Sequence, residues 1–346
     1  MGIERAGDRA GKGLSVQDEQ TSLEKVSAFL KAEALSRKKF LIASHINPEG
    51  DALGSSIALS MALRALGGGD ENTLIYNRDG VPEYLRFLPG QAKVSSEVPD
   101  DTRDFVLVLL DCNNPDRAAL KGVPFSKTLV IDHHEVETPS GDLNWVEPGA
   151  PAAGLMVYRL IKSLGTGLTR DMAVNLYTAI STDTGNFRYQ NTTAEALNAS
   201  AELVSAGAEP GTIAENVYET WSDGRFNLLC LALQSFERIN GAAIMTITQE
   251  MFRKTGTTIE DIENFTSFPR LLREVRAAAL VTELPDGVIR VSLRSKGDID
   301  VRRVAEKFGG GGHRNAAGCR IGGMKKLPDA RRELFKAILE AFRKPE

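Results

Sequence analysis

Four histidines occur in the 346-residue chain, His45, His133, His134 and His313, and three of them stand beside carboxylates. The first cluster reads Ser44-His45-Ile46-Asn47-Pro48-Glu49-Gly50-Asp51, the second is Asp111, and the third is Asp132-His133-His134. Asp183, in Ser181-Thr182-Asp183-Thr184-Gly185, offers a further acid. Alone, any of these is an ordinary loop acid or helix cap. Gathered together they are costly, because carboxylates taken out of water repel one another unless a cation neutralises them. Oxygen and imidazole donors without thiolate suit Mn²⁺ first and Mg²⁺ second, rather than structural zinc. About six such ligands would hold two ions with one carboxylate shared, a pair that can clamp an in-line displacement at phosphorus.

The elements that must position these groups are short and apolar. Residues 40–43, 73–76, 105–110 and 128–131 read as strands, and the histidine clusters and Asp111 follow the first, third and fourth. Continuous rather than alternating apolar strands, with helices between them, predict a parallel sheet covered on both faces. In such a sheet ligands bind at the carboxyl edge, where these polar groups are delivered. Thr21 and Glu24 stand at capping-box spacing and predict a first helix running to about residue 38. A second helix is expected over 55–66, and helical patterns dominate from 152 to about 240, with Asp183 ending one of them.

The pattern changes after Asn240-Gly241. Residues 242–248, 277–284 and 288–293 read as strands, Pro285-Asp286-Gly287 as the turn between the last two, and 328–342 as a closing helix. The fold class is therefore α/β: a parallel-sheet first domain over 21–222 and a smaller α/β domain over 241–346. Residues 1–20 are expected to be a disordered tail and 223–240 a linker containing a helix over 225–239. A cleft between the domains is the expected ligand site.

Composition agrees with that reading. With 42% hydrophobic and 25% charged residues, disorder, collagen-like repeats and a disulfide scaffold are excluded. The longest apolar runs are strand-sized, far short of the roughly 18 residues that a membrane span needs. A net charge of -4 argues against wholesale nucleic-acid binding. The three cysteines form no CxxC pair, which fits a reducing compartment, and the first 20 residues lack a secretory h-region. The expectation is a cytoplasmic protein. Its oligomeric state is open, a homodimer included.

One motif belongs to the second domain. Phe308-Gly309-Gly310-Gly311-Gly312-His313-Arg314 is a glycine run ending in His-Arg, and glycines let a backbone approach an anion and aim N–H groups at it. No Lys-Ser/Thr follows, so it is not a Walker A loop. Between Arg270 and Arg320 there are 11 Lys/Arg against 6 Asp/Glu, a basic stretch in an acidic protein. Arg294-Ser295 ends a strand and is placed to reach the same pocket.

On these motifs the chain resembles the DHH phosphoesterase superfamily. Asp132-His133-His134 matches the triplet that names it, His45-xxx-Glu49-x-Asp51-xx-Gly54-Ser55 its first motif, Asp111 its second and Asp183 its fourth. The resemblance implies metal ligands at His45, Glu49, Asp51, Asp111, His133 and Asp183, with Asp111 and Asp183 as bridging candidates. It implies catalytic roles for Asp132, orienting the histidines, and His134, touching the scissile phosphate. Glu49 stands where the family usually has Asp, which adds a methylene at that site. The second domain resembles the DHH-associated C-terminal domain, whose Arg-Ser pair and glycine-histidine loop bind the nucleotide end of the substrate. This implies binding roles for Arg294, Ser295, Gly310, Gly311, Gly312, His313 and Arg314.

The stand-alone pairing resembles the nanoRNase/pAp phosphatase branch: two divalent cations, short single-stranded RNA or DNA and 3′-phosphoadenosine 5′-phosphate as substrates, and no membrane. Two other readings use the same residues. One is a soluble phosphodiesterase for cyclic di-AMP or its linear product. The other is a silent nucleotide sensor, against which the complete acid and histidine set argues.

Overall fold

The structure is a computed structural model that describes residues 16–135, 138–322 and 327–343. The chain divides into two compact units, Met1–Thr220 and Trp221–Glu346.

The first unit is built on six parallel strands in the order β3-β2-β1-β4-β5-β6: β1 Lys39–Ala43, β2 Thr73–Tyr76, β3 Val94–Ser95, β4 Phe105–Leu110, β5 Lys127–Asp132 and β6 Leu143–Val146. Side chains alternate between the faces of a strand. In β4, Val106, Val108 and Leu110 therefore join Phe40, Ile42, Leu129 and Ile131 in one core, while Phe105, Leu107 and Leu109 enter another. Burial on both sides is why β4 is apolar at every position.

Only the first of these faces is covered by long helices: α1 Val16–Leu35, α2 Gly50–Leu63, α3 Ala153–Leu164, α4 Arg170–Asp183 and α5 Ala194–Ser205 contribute to it, with α6 Pro210–Tyr218. The other face is closed by loops carrying Val98, Ala118, Leu120, Val123 and Phe125. Among the described residues, α-helices between successive strands of this sheet, expected from the sequence, thus occur only between β1 and β2. Three boundaries also differ. α1 starts at Val16, so Thr21 is inside the helix rather than its cap, and the tail expected over 1–20 lies outside the described residues only as far as 15. α1 also stops at Leu35, where Arg37 turns with φ 54°. α2 begins at Gly50, ahead of the expected 55, and gives way to a turn over Arg64–Gly68.

The α2–α4 contact depends on glycine. A Cβ on Gly54 would sit 2.4 Å from the Asn175 carbonyl oxygen, and one on Gly50 would sit 2.5 Å from Thr182 Oγ1. The two helices can therefore approach closely enough to bring the start of α2 to the end of α4, and Asp51 toward Asp183.

The second unit holds a mixed six-stranded sheet in the order β11-β12-β10-β9-β8-β7: β7 Glu237–Ile239, β8 Ala242–Ile247, β9 Ala277–Glu283, β10 Ile289–Ser295, β11 Gly311–His313 and β12 Ala316–Ile321. Only β8 and β9 run parallel. α7 Asp223–Gln234 and α8 Gln249–Thr255 pack on one face; α9 Arg302–Glu306 and α10 Leu327–Ala341 pack on the other. The helix expected over 225–239 stops at Gln234 and the chain enters β7. Leu228, Leu229 and Ala232 of α7 are buried with Met245, Ile247 and Phe265, so the helix is part of this unit's core and not a free linker.

Candidate metal centre

The register of the first sheet aligns its strand ends. Ala43 pairs with Tyr76 and with Leu109, Leu110 with Ile131, and Asp132 with Val146. One carboxyl edge therefore carries His45 after β1, Asn77 after β2, Asp111 after β4 and Asp132-His133-His134 at the end of β5. The strand order reverses between β1 and β4, the position at which open sheets form a crevice. His45 and Asp111 flank that crevice.

Asp111 adopts a left-handed backbone, φ 57°, and its N–H donates to Ile131 O. Asp is among the few non-glycine residues that tolerate this conformation. The turn sets its carboxylate between two imidazoles: Oδ2 is 3.3 Å from His45 Nε2, and Oδ1 is 3.2 Å from His133 Nε2. Asp111 is buried, and its Oδ1 has no hydrogen-bond partner of good geometry among the described residues.

Both imidazoles are fixed from behind. His45 Nδ1–H donates to Ile46 O at 2.8 Å, and His133 Nδ1–H to Ala150 O at 3.1 Å. Each Nε2 is thereby turned toward the acids, the tautomer that presents a lone pair to a metal once its proton leaves. His45 Nε2 also lies 3.0 Å from Glu49 Oε1. His133 Nε2 lies 3.7 Å from Asp51 Oδ2 and 3.6 Å from Asp183 Oδ2.

Asp51 is fully buried at the N-terminus of α3, accepting from Ala153 N–H and Gly154 N–H at 2.7 Å each and from Ser55 Oγ at 3.1 Å. A Cβ on Gly154 would sit 2.5 Å from the Ala179 Cβ, so this approach needs glycine. Asp183 ends α4, as its sequence pattern implies.

These groups form two sets able to hold an ion, His45-Glu49-Asp111 and Asp51-His133-Asp183; Asp111, His133 and His134 form a third grouping beside them. All six residues implied as ligands lie in these two sets; Asp111 belongs to the first, and its Oδ1 lies 3.2 Å from His133 of the second.

The titratable groups of the cluster shift one another strongly. Burial opposes charge on His45, yet hydrogen bonds to Asp111 and Glu49 raise its pKa to about 11. His133 moves up in the same way, against burial, through Asp111, Asp51 and Asp183. Burial, with Asp111 and Asp183 nearby, pushes Asp51 up, and burial raises Asp183 to about 6. Asp111 is held low by the two histidines despite its burial.

Asp132 does not serve both histidines, as the resemblance implies. Its Oδ1 accepts from His134 Nδ1–H at 2.8 Å and from His134 N–H at 3.2 Å, and its Oδ2 from Asn113 Nδ2 at 2.9 Å. It orients His134 alone, while Ala150 orients His133. His134 is the more exposed of the pair, at 42% against 14%. Its Nε2 is left for an external group.

Two positioning residues escape the sequence reading. Asn77, fully buried, donates from Nδ2 to Ser44 Oγ and His45 O, pinning the His45 loop. Asn113 holds Asp132. The available signal was the one that found the acids, a polar residue just past an apolar strand.

The second unit separates what the sequence grouped. A hollow of about 680 Å³ is lined by Arg290, Arg294, Gly309, Gly310, Gly311, Gly312, His313 and Arg320, among others. The end of the glycine run forms the edge hairpin β11–β12, and Gly310 N–H donates to Ala305 O and Gly309 N–H to Glu306 O, so these donors are spent inside the chain. Ser295 is buried; its hydroxyl donates to Ile299 O and accepts from Asn315 Nδ2. It braces the loop rather than facing the hollow. Arg314 donates to Asp298 O and lines a different hollow, with Asp300, Arg302 and Lys307.

A sheet edge bearing Asp-His-His beside a shared aspartate defines the class, and the chain belongs to the DHH family: residues 39–180 match the DHH family, N-terminal domain, and residues 243–344 match the DHHA1 domain. Within it, the chain is 34% identical to the bifunctional oligoribonuclease and PAP phosphatase NrnA of Thermus thermophilus, over 87% of this chain and 88% of that one. It is 31% identical to the protein of the same name from Bacillus subtilis, over 80% and 87%. Among solved structures, an exopolyphosphatase-related protein from Bacteroides fragilis superposes with a TM-score of 0.82 at 25% identity, covering 93% of this chain and 96% of that one. No helix among the described residues is long and apolar enough to cross a membrane.

Proposed function

We propose that this chain is a metal-dependent phosphohydrolase that shortens very short oligoribonucleotides and removes a phosphate from 3′-phosphoadenosine 5′-phosphate. The observation that carries it is the Asp111 carboxylate, one oxygen toward His45 and the other toward His133. The relatives named oligoribonuclease and PAP phosphatase support the substrate class.

The residues fit a pair of divalent cations: the buried, unsatisfied Asp111 Oδ1 lies among carboxylates and imidazole nitrogens that contain no thiolate. His45, Glu49 and Asp111 would hold one ion, and Asp51, His133, Asp183 and Asp111 the other, with Mn²⁺ the better match and Mg²⁺ the second. Bound there, the ions supply positive charge to the phosphate and ease deprotonation of an attacking water. The protein's own part is positional. Asp132 fixes His134 through Nδ1, leaving Nε2 to contact the phosphate and to hold or release a proton at the leaving oxygen. Arg294 and His313, at the hollow of the second unit, bind the nucleotide end.

The test is a product time course with di- to 20-mer RNA, 3′-phosphoadenosine 5′-phosphate and cyclic di-AMP in parallel, with Mn²⁺ or Mg²⁺. Dimers to pentamers and the bisphosphate should be consumed fastest. Preferred turnover of cyclic di-AMP, or equal rates on dimers and 20-mers, would refute the reading.

A further inference from the structure

We propose that Tyr189 is a stacking platform for a substrate base beside the metal centre. The proposal rests on the phosphohydrolase reading and adds a residue that neither the metal set nor the hollow of the second unit contains.

The chain leaves α4 at Asp183 through an unusual turn. Gly185, Asn186 and Phe187 all adopt left-handed backbone, with φ of 57°, 57° and 60°. For glycine and Asn this costs little, but for Phe it is strained by roughly 1–2 kcal/mol. Such strain persists only where the surroundings impose it. Here they do. Thr184 is fully buried, and Phe187 turns inward to meet Tyr177 edge-on, ring centroids 5.8 Å apart. Arg188 N–H and Tyr189 N–H both donate to Thr184 O, Arg188 Nε–H donates to Gly185 O, and Asn191 Nδ2 donates to Asp183 O.

The result is one ring held in the open. Tyr189 is 58% exposed, yet it is not a loose surface side chain. A Cβ built on Gly185 would fall 2.3–2.5 Å from three atoms of the ring, so one side of the ring lies against the Gly185 backbone. More than half of the side chain faces solvent. Gly185 is two residues from Asp183, at most about 7.6 Å between Cα atoms. A flat aromatic surface thus lies against the turn that directly follows Asp183, one of the implied metal ligands. Every base has a π-face, so such a platform binds a nucleoside without reading its sequence. The strained turn has a purpose on this account: packing the partly buried Phe187 against Tyr177 fixes the register that leaves Tyr189 outside.

The test uses the full chain with a diadenylate, the same compound lacking its bases, and a phosphorothioate diadenylate for equilibrium binding. Tyr189→Ala should raise KM for the diadenylate about tenfold or more, with kcat within about twofold, since stacking is lost equally in ground and transition states. It should weaken phosphorothioate binding by a similar factor and leave the abasic compound unaffected. Tyr189→Phe, which keeps the ring, should restore wild-type KM. An unchanged KM in Tyr189→Ala would overturn the proposal, as would equal losses on base-bearing and abasic compounds, which mark a merely structural role. A Tyr189→Phe defect as large as that of Tyr189→Ala would overturn it too, by assigning the effect to the hydroxyl. If the wild-type chain cleaves no oligonucleotide, the phosphohydrolase reading fails; if it cleaves them and Tyr189→Ala matches it, only this proposal fails.

Discussion

Asp111 and His133 meet through Oδ1 and Nε2 at 3.2 Å, while the other oxygen of the same carboxylate lies 3.3 Å from His45. One side chain thus reaches both halves of the site. Asp111→Asn is the informative variant, because Asn tolerates the left-handed backbone that Ala would strain. It keeps the shape and removes the charge that two bound ions would share. Turnover should fall by at least about a thousandfold, or roughly 4 kcal/mol of barrier stabilisation, with the thermal midpoint of the metal-free protein unchanged or raised. Retention of a tenth of wild-type turnover would remove Asp111 from the bridging position.

The raised pKa of His45, about 11, and the upward shift of His133 mean that both carry a proton at pH 7 when no metal is bound. Ligation requires the neutral ring, so binding must release those protons. Calorimetric Mn²⁺ titrations in buffers of different ionisation enthalpy should show at least two protons released near pH 7, since the raised Asp51 can add to the two histidines. A buffer-independent heat would contradict this protonation scheme.

The same shifts set the stability of the metal-free chain. Both histidines have folded pKa values above their ordinary 6.5, so their contribution is fully present below about pH 6.5. It is lost as pH rises through about 10 to 11. Asp183, raised from 3.8 to about 6, also loses its contribution as pH rises, but in that lower interval. Thermal melts in chelator should therefore fall between pH 8 and 11, and Mn²⁺ should flatten the decline. A midpoint that rises with pH over that interval would reverse the assignment.

His133 and His134 are neighbours with different anchors, Ala150 O for one and Asp132 for the other. His133→Ala should weaken Mn²⁺ binding, whereas His134→Ala should lower turnover with metal affinity largely kept. Asp132→Asn should resemble His134→Ala, since it frees only that ring. Equal loss of metal in both histidine variants would count against the split.

His45, Asp111 and Asp132-His133-His134 were legible because they sit at or within two residues of the end of an apolar strand, where a parallel sheet presents its ligands, whereas Glu49, Asp51 and Asp183 lie at the start of α2 and the end of α4. The strands themselves were legible where both faces are buried, as in β4. Short edge strands were not. β7 has three exposed residues and continues a helical-looking pattern, and β11 is Gly-Gly-His, whose strand state comes only from pairing with β12. Nor could spacing show that Ser295 spends its hydroxyl internally or that Arg314 turns toward Asp298. Both depend on the path of the 296–300 loop, which no local pattern encodes. Gly54 carried a signal of type without its reason: the missing Cβ is space for the Asn175 carbonyl.

That space gives a structural prediction. Gly54→Ala places a methyl 2.4 Å from a backbone oxygen that cannot rotate away, so α2 must move off α4. Overpacking of this kind costs about 1–3 kcal/mol. Because Asp51 and Asp183 ride on these two helices, Mn²⁺ affinity should fall together with the urea midpoint. Unchanged stability would mean that the helix pair can separate at no cost, and that its close packing does not position the acids.

The separation of Arg294 from Arg314 yields the last prediction. Arg294 lines the hollow that also contains the glycine edge and His313, whereas Arg314 lines another and is bonded to Asp298. A charge-assisted hydrogen bond to a nucleotide phosphate is worth about 1.5–3 kcal/mol, so Arg294→Ala should raise KM for dinucleotides about 10- to 100-fold. A small chromogenic phosphodiester, which has no nucleotide end to hold, should be hydrolysed at the wild-type rate by the same variant. Arg314→Ala should leave KM for dinucleotides within about twofold, because its guanidinium braces the loop through a backbone carbonyl and pairs with a side chain that is 99% exposed, an ion pair worth little. Steady-state kinetics on both substrates separate the cases. If Arg314→Ala raises KM as much as Arg294→Ala does, both arginines serve one binding surface and the division between the two hollows has no functional meaning.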